Sequence, residues 1–189
     1  IGPLLLFAAT VGFTLRSVPE MLPPYVADLF GRGAEGLATL ASTMGVAAMI
    51  GGFYVAIRGR IAGLAQLAML AGAGAACATA LFVATGHFEI GLLAIAAMGA
   101  ATPMHGISIQ TLLQNASSPA MVGRVLSLWG MITRAAPAVG ALVYGTAAEF
   151  AGLQAPVLVG CALCLCMWLY TWMRRKEIAA ALEGASPLA

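Results

Sequence analysis

The chain has 189 residues, of which 61% are hydrophobic and 8% are charged, and its formal net charge is +2. A soluble domain carries roughly 25% charged residues, so this composition excludes a water-soluble globular fold. The few basic residues form no patch that would bind nucleic acid. Apolar runs of about 20 residues, the length that a helix needs to cross a bilayer, recur along the chain. The composition therefore predicts an all-α integral membrane protein surrounded by lipid.

Six membrane-spanning helices are predicted in chain order. They cover residues 3–26, 34–57, 61–85, 90–114, 125–147 and 155–173. Backbone groups in hydrocarbon need internal partners, so each span is expected to be a helix. The alternating ten-residue segments that are typical of a transmembrane β-barrel do not occur. We therefore expect a six-helix bundle over residues 1–176 and a short cytoplasmic tail over residues 177–189.

Basic residues are distributed unevenly between the two sets of loops. One set holds only Arg32, whereas the other holds Arg58, Arg60, Arg124, Arg174, Arg175 and Lys176. Cytoplasmic loops of membrane proteins carry an excess of Lys and Arg. This bias predicts that both ends of the chain lie in the cytoplasm.

The first predicted helix carries two charges near its middle. On a continuous helix Arg16 and Glu20 share one face, and Phe7, Val11 and Leu15 occupy the opposite one. Residues four apart on a helix are neighbours and can form an ion pair. Charges inside a membrane are costly and commonly functional. We expect a structural salt bridge between Arg16 and Glu20, with a role in a substrate cavity as the alternative.

Small residues recur at four-residue spacing in the second and third helices. The second helix has Ala38 and Ser42, then Ala41 and Gly45, then Ala48 and Gly52. The third has Ala68, Gly72, Ala76, Ala80 and Ala84. Helices in lipid associate through such stripes, so we expect close helix packing here. Smooth faces that allow helices to slide during transport are the alternative.

The fourth and fifth helices contain prolines, a histidine and a further cation. Pro103 and Pro137 are expected to bend their helices. His105 is expected to be a hydrogen-bonded packing residue, with a proton relay as the alternative. Arg134 shares a face with small residues such as Gly130, so we expect it to point into protein or water. Its partner would be an acidic group outside this chain or an anionic group on a substrate.

The remaining candidate ligands argue against an enzyme. Cys161 and Cys164 share a face of the sixth helix, whereas Cys166 does not, so we expect inert thiols rather than a metal site. The histidines and acidic residues are scattered between loops and a helix. A membrane-embedded enzyme needs these groups to be clustered. We therefore expect neither a metal nor a cofactor.

Two stretches resemble the major facilitator superfamily, and its enterobactin-exporter-like efflux branch in particular. They are "LPPYVADLFGRGAEGLATLASTMGVAAMIGG" (residues 22–52) and "QTLLQNASSPAMVGRVLSLWGM" (residues 110–131). In the second stretch the matching residues are Gly123, Arg124, Val125, Ser127 and Leu128. The resemblance covers nearly the whole chain but only one half of the family's twelve helices.

The resemblance implies a three-plus-three inverted repeat and a cavity shared with a missing N-terminal six-helix half, expected upstream of Ile1. It also implies proton-coupled export of a small molecule by alternating access, in a bacterial inner membrane. The substrate-cavity candidates are Arg134, Arg16, Glu20 and His105, and the conformational-loop candidates are Gly123, Arg124, Arg58 and Arg60. A dimerising six-helix channel or a non-transporting membrane scaffold is the alternative.

Overall fold

The computed structural model describes residues 2–183, and within that range the secondary structure is entirely helical. The helices are α1 (Gly2–Thr14), α2 (Leu22–Asp28), α3 (Ala34–Arg58), α4 (Leu64–Ala84), α5 (Phe88–Asn115), α6 (Val122–Ala151), α7 (Gln154–Met173) and α8 (Arg175–Glu183), with a 3-10 turn at Pro19–Met21. Six stretches are long and apolar enough to cross a membrane, the first of them being Gly2–Asp28. The six predicted spans are thereby confirmed, and the chain is a membrane protein.

The first span is interrupted, so the expectation of one continuous helix is wrong. α1 ends at Thr14, and the chain resumes as a helix only after the turn at Pro19–Met21. Pro19 has no N–H group to donate to the carbonyl four residues before it, which breaks the helical ladder. The Arg16 N–H group reaches back to the carbonyl of Val11 at 3.4 Å. The Ser17 hydroxyl donates to the Phe13 carbonyl in place of a backbone bond.

The helices are arranged around two groups of neighbours. α5 packs along α3 and α4, α1 packs along α6 and α7, and α4 contacts α7 between the two groups. Leu4, Phe7, Val11 and Leu15 lie on the buried side of the first span. The face predicted to lie opposite Arg16 and Glu20 therefore packs into the core.

Glycines set the closest approach between α3 and α5. A Cβ atom at Gly99 would lie 2.7 Å from the carbonyl oxygen of Met44, and one at Gly51 would collide with the backbone of Ala100. Two helices cross here with almost no side chain between them, as small residues allow in membranes.

The same kind of contact joins α1 and α6. A Cβ atom at Gly140 would collide with the Phe13 carbonyl oxygen and the Ser17 hydroxyl. One at Gly12 would lie 3.6 Å from the Cβ of Ala136 and 3.7 Å from the carbonyl oxygen of Ile132. Each helix of this pair therefore presents a glycine to the backbone of the other.

The predicted small-residue stripes have different surroundings. Ala68, Gly72 and Ala76 of α4 are buried, which confirms close packing for that helix. In α3, however, Ala38, Ala41, Ser42 and Gly45 are all exposed. Ala48 and Gly52 are half-buried, so only the first part of the α3 stripe faces away from the part of the bundle that the structure describes.

The described part of the tail is a helix packed against the bundle. α8 buries Ile178 and Leu182. The Glu183 carboxylate accepts hydrogen bonds from the backbone N–H groups of Gly63 and Ala65, both at 2.8 Å, at the start of α4. A carboxylate at this position satisfies free N–H groups and complements the helix dipole. The predicted tail continues over residues 184–189, which lie outside the described residues.

We expect Glu183→Ala to lower the stability of the protein by about 1–2 kcal/mol, because the first turn of α4 loses its cap. The measurement is the thermal midpoint of the purified protein in detergent, followed by size-exclusion chromatography after heating. Glu177→Ala is the matched control, since Glu177 is exposed in the first turn of α8. Equal losses in the two variants would show that the cap contributes nothing specific.

The orientation predicted from the basic residues is testable with single cysteines at two loops. Gly59 and Gly152 have positive φ angles, so Ser118 and Gly86 are the better positions to substitute. We expect Ser118→Cys to react with an impermeant thiol reagent only from the cytoplasmic side and Gly86→Cys only from the opposite side. The four native cysteines lie within α4 and α7, away from both loops, so the protein without an introduced cysteine is the control for background labelling. The reversed labelling pattern would contradict the predicted orientation.

Candidate functional site

A cleft opens beside the break in the first span. It has a volume of about 330 Å³ and lies between the broken segment and the middles of α3 and α5. The residues that line it include Arg16, Glu20, Met44, Met98, Thr102 and Pro103. Arg16 lies 14 residues after Gly2 and 12 before Asp28, so the cleft is near the middle of the span.

Arg16 and Glu20 both line this cleft but do not pair. Within residues 2–183 neither side chain makes a hydrogen bond, and no ion pair joins them. The expected salt bridge is therefore wrong. Its physical cause is the break at residues 15–21, which removes the one-turn spacing that the prediction required. Arg16 is half-buried and Glu20 is exposed, so both charges are open to a third group.

Arg134 is exposed on the side of α6 that points away from the described bundle, and the expectation that it meets protein or water there stays a prediction. The packed face of α6 is formed by Trp129, Pro137, Gly140 and Tyr144. Gly140 allows the close approach to α1, and the Tyr144 hydroxyl donates to the Thr14 hydroxyl oxygen at 2.9 Å. A helical wheel gives only relative positions around an axis, and these two contacts decide which side packs.

Arg134 also lies deep in its span. It is 12 residues after Val122, or roughly 18 Å along the helix at 1.5 Å per residue, and 17 residues before Ala151. Its side chain borders an open groove with a volume of about 600 Å³, together with Ser127, Gly130, Met131 and Ala135. In the described part of the chain it has neither a hydrogen bond nor an ion pair. A guanidinium at this depth is costly against lipid, so this surface requires protein or water beside it.

His105 lies outside the cleft, in the core between three helices. Its ring is 3% exposed, and Nδ1 lies 2.8 Å from the Ala68 carbonyl oxygen of α4. The carbonyl only accepts, so Nδ1 carries the proton and donates. The ring meets Phe7 of α1 edge to face, with centroids 5.3 Å apart. Nε2 has no partner among the described residues. This geometry matches the hydrogen-bonded packing role.

The conformational-loop candidates lie in or beside two connections, α3–α4 and α5–α6. The Arg58 guanidinium donates to the carbonyls of Ala62 at 3.0 Å and Gly63 at 3.4 Å, which holds the α3–α4 loop closed on itself. Arg60 is exposed in that loop. Gly123 and Arg124 are exposed in the first turn of α6, where the Arg124 carbonyl accepts a hydrogen bond from the Ser127 hydroxyl.

The cysteines separate as the helical spacing predicts. Cys161 and Cys164 are buried, whereas Cys166 and Cys77 are exposed. Over residues 2–183 no group of three or more His, Cys, Asp or Glu side chains is placed to hold a metal ion.

The sequence did not indicate several of the cleft residues, among them Met44, Met98 and Thr102. Each belongs to a span, but neither hydropathy nor spacing indicates that a broken helix leaves space beside it. The signal that could have located the cleft is the cluster of Pro19, Pro23 and Pro24, because three missing N–H groups within six residues disrupt a helix.

Comparison with protein-family models, with curated proteins and with solved structures gave no match to this chain.

Proposed function

We propose that this chain is one six-helix half of a secondary active transporter of the major facilitator type. It moves a small molecule across the membrane by alternating access, and proton-coupled export is the direction that its sequence resemblance favours. The observation that carries the proposal is the presence of two mid-membrane arginines, Arg16 and Arg134. Both line open spaces, and neither forms an ion pair within the described residues. Such cations in transporters lie beside aqueous cavities and substrates.

A correspondence between the first three and last three spans supports the three-plus-three repeat. Gly12 and Gly99 occupy equivalent contacts, in the first and fourth spans, and differ by 87 positions. Gly51 and Gly140 do so in the second and fifth spans and differ by 89 positions. In this repeat α1, α3 and α4 correspond to α5, α6 and α7. The contact of α3 with α5 then corresponds to that of α6 with α1, and the contact of α4 with α5 corresponds to that of α7 with α1. Inverted repeats in transporters produce such paired contacts.

The outward faces of α3 and α6 support a second half. Ser42 and Gly45 of α3 and Arg134 and Ala138 of α6 are exposed. Small residues favour contacts between membrane helices, and a charge in a span requires protein or water beside it. We propose that another six-helix unit covers these faces and encloses a water-filled cavity with Arg16, Glu20 and Arg134 on its wall. His105 supports the helices behind that wall.

Water access at the Arg134 face tests this proposal. Ala138 is exposed one helical turn from Arg134, whereas Leu163 is 61% exposed on α7. We expect Ala138→Cys to react with an impermeant methanethiosulfonate reagent and Leu163→Cys, which faces lipid, to remain unlabelled. Reversing the pH gradient across proteoliposomes should change the side from which Ala138→Cys reacts.

The alternatives predict other labelling patterns. A channel would expose Ala138→Cys to both sides at once, regardless of the gradient. A scaffold with Arg134 packed against protein would leave it unlabelled from either side. Either result would contradict alternating access.

A further inference from the structure

We infer that the cleft beside the broken first span binds a zwitterionic small molecule with one apolar arm. The carboxylate of that molecule binds Arg16, its ammonium group binds Glu20, and its apolar arm lies between Met44 and Met98. The inference rests on the proposed function in one respect, since it makes this molecule the transported substrate.

The charges of the cleft are one cation and one anion that do not neutralise each other. Arg16 and Glu20 line the same space and make no ion pair in the structure, which covers both residues. A half-buried guanidinium without a partner has lost part of its hydration, and no ion pair compensates for that loss. A ligand carboxylate supplies two parallel hydrogen bonds to its planar fork.

Glu20 adds the second charge preference. It is more exposed than Arg16 and lines the same cleft, so its carboxylate is open to a cationic group of the ligand. An ammonium group offers three donors to its carboxylate. A ligand with one charge alone would leave either Arg16 or Glu20 unmatched, whereas a zwitterion neutralises both.

The remaining wall selects an apolar arm of moderate size. Met98 is 1% exposed and Met44 is partly buried, and thioether side chains adapt their shape and contact aromatic rings favourably. The volume of about 330 Å³ is at the small end for ligand pockets. Thr102 adds one hydroxyl, which is bonded to the Met98 carbonyl at 2.7 Å. The site therefore fits a molecule of amino-acid size with a single ring or a short aliphatic chain.

The test uses three probes that differ only in charge: L-phenylalanine, 3-phenylpropionate and 2-phenylethylamine. Their binding to the protein, purified at its natural length in lipid nanodiscs, is measured by calorimetry at pH 7. We expect L-phenylalanine to bind about tenfold or more tightly than either singly charged probe. Equal affinities of the three probes, or no binding of L-phenylalanine, would overturn the inference.

Two variants assign the charges, and a third controls for net charge. Arg16→Gln should bring L-phenylalanine down to the affinity of 2-phenylethylamine, and Glu20→Gln should bring it down to that of 3-phenylpropionate. Glu149→Gln, an exposed carboxylate near the end of α6, should leave the order of the three probes unchanged. An unchanged order in Arg16→Gln and Glu20→Gln would also overturn the inference.

The inference and the transport proposal fail separately, because binding is measured without flux. If the probes bind as expected but the labelling of Ala138→Cys does not alternate, the zwitterion site stands and the transporter proposal falls. If labelling alternates but the probes show no charge preference, the transporter proposal stands and the assignment of the substrate class falls.

Discussion

Gly140→Val is expected to prevent most of the protein from folding, whereas Gly145→Val on the same helix is expected to fold normally. A side chain at Gly140 would collide with the Phe13 carbonyl and the Ser17 hydroxyl, and backbone cannot swing aside as a flexible side chain can. Gly145 has no atom within 4 Å of the position where its Cβ would be built. Overpacking of this kind costs about 3 kcal/mol or more, and it would separate α6 from α1.

The measurement for the glycine pair is the yield of monodisperse protein by fluorescence-detected size-exclusion chromatography, with the thermal midpoint of whatever fraction folds. Both variants add the same side chain to the same helix, so any difference belongs to the contact with α1. Equal yields would mean that α1 and α6 do not approach as closely as described.

Arg134→Ala is expected to insert and fold but to lose most transport, about tenfold or more, because its guanidinium is the group that a substrate or the second half would bind. Arg134→Lys should be impaired as well, since an ammonium cannot replace the planar two-bond fork. The folded yield should not fall, because Arg134 makes no contact that holds the described bundle together.

The measurement for Arg134 is proton-coupled flux per folded molecule in proteoliposomes, with proton movement followed by an internal pH-sensitive dye. Arg174→Ala is the matched control, because Arg174 is exposed just beyond α7 and its guanidinium lies 5.0 Å from the Tyr170 ring centroid. Near-normal flux in Arg134→Ala would reduce this arginine to a passive surface residue.

Hydropathy was sufficient to locate the six spans, because lipid accepts only long apolar helices and each boundary coincides with Gly, Pro or charge. The helical wheel separated Phe7, Val11 and Leu15 from Arg16 and Glu20, but it did not show that the side with Phe7, Val11 and Leu15 is the buried one. The buried stripe of α4 and the separation of Cys166 from Cys161 and Cys164 followed from helical spacing alone. These features depend on local sequence and on the solvent.

The candidate site depended on non-local contacts that spacing does not encode. Pro19 breaks the helix that was expected to pair Arg16 with Glu20, and a wheel assumes that the helix is continuous. The small residues that share a side with Arg134 did not indicate which side of α6 packs against this bundle, because that depends on the contact of Gly140 with Phe13, which is far away in sequence. Hydropathy also gives no signal for α8, because its nine residues are too few for a span and the first three are charged.

The bond between Glu183 and the start of α4 has a consequence for the order in which the protein assembles. Gly63 and Glu183 are 120 residues apart in the chain, so every span is synthesised before the carboxylate exists. Until then the first turn of α4 retains free N–H groups at the surface of the membrane. The start of α4 is therefore capped only after all six spans have been synthesised, and nascent chains arrested before residue 183 should remain more susceptible to membrane proteases at the α3–α4 loop.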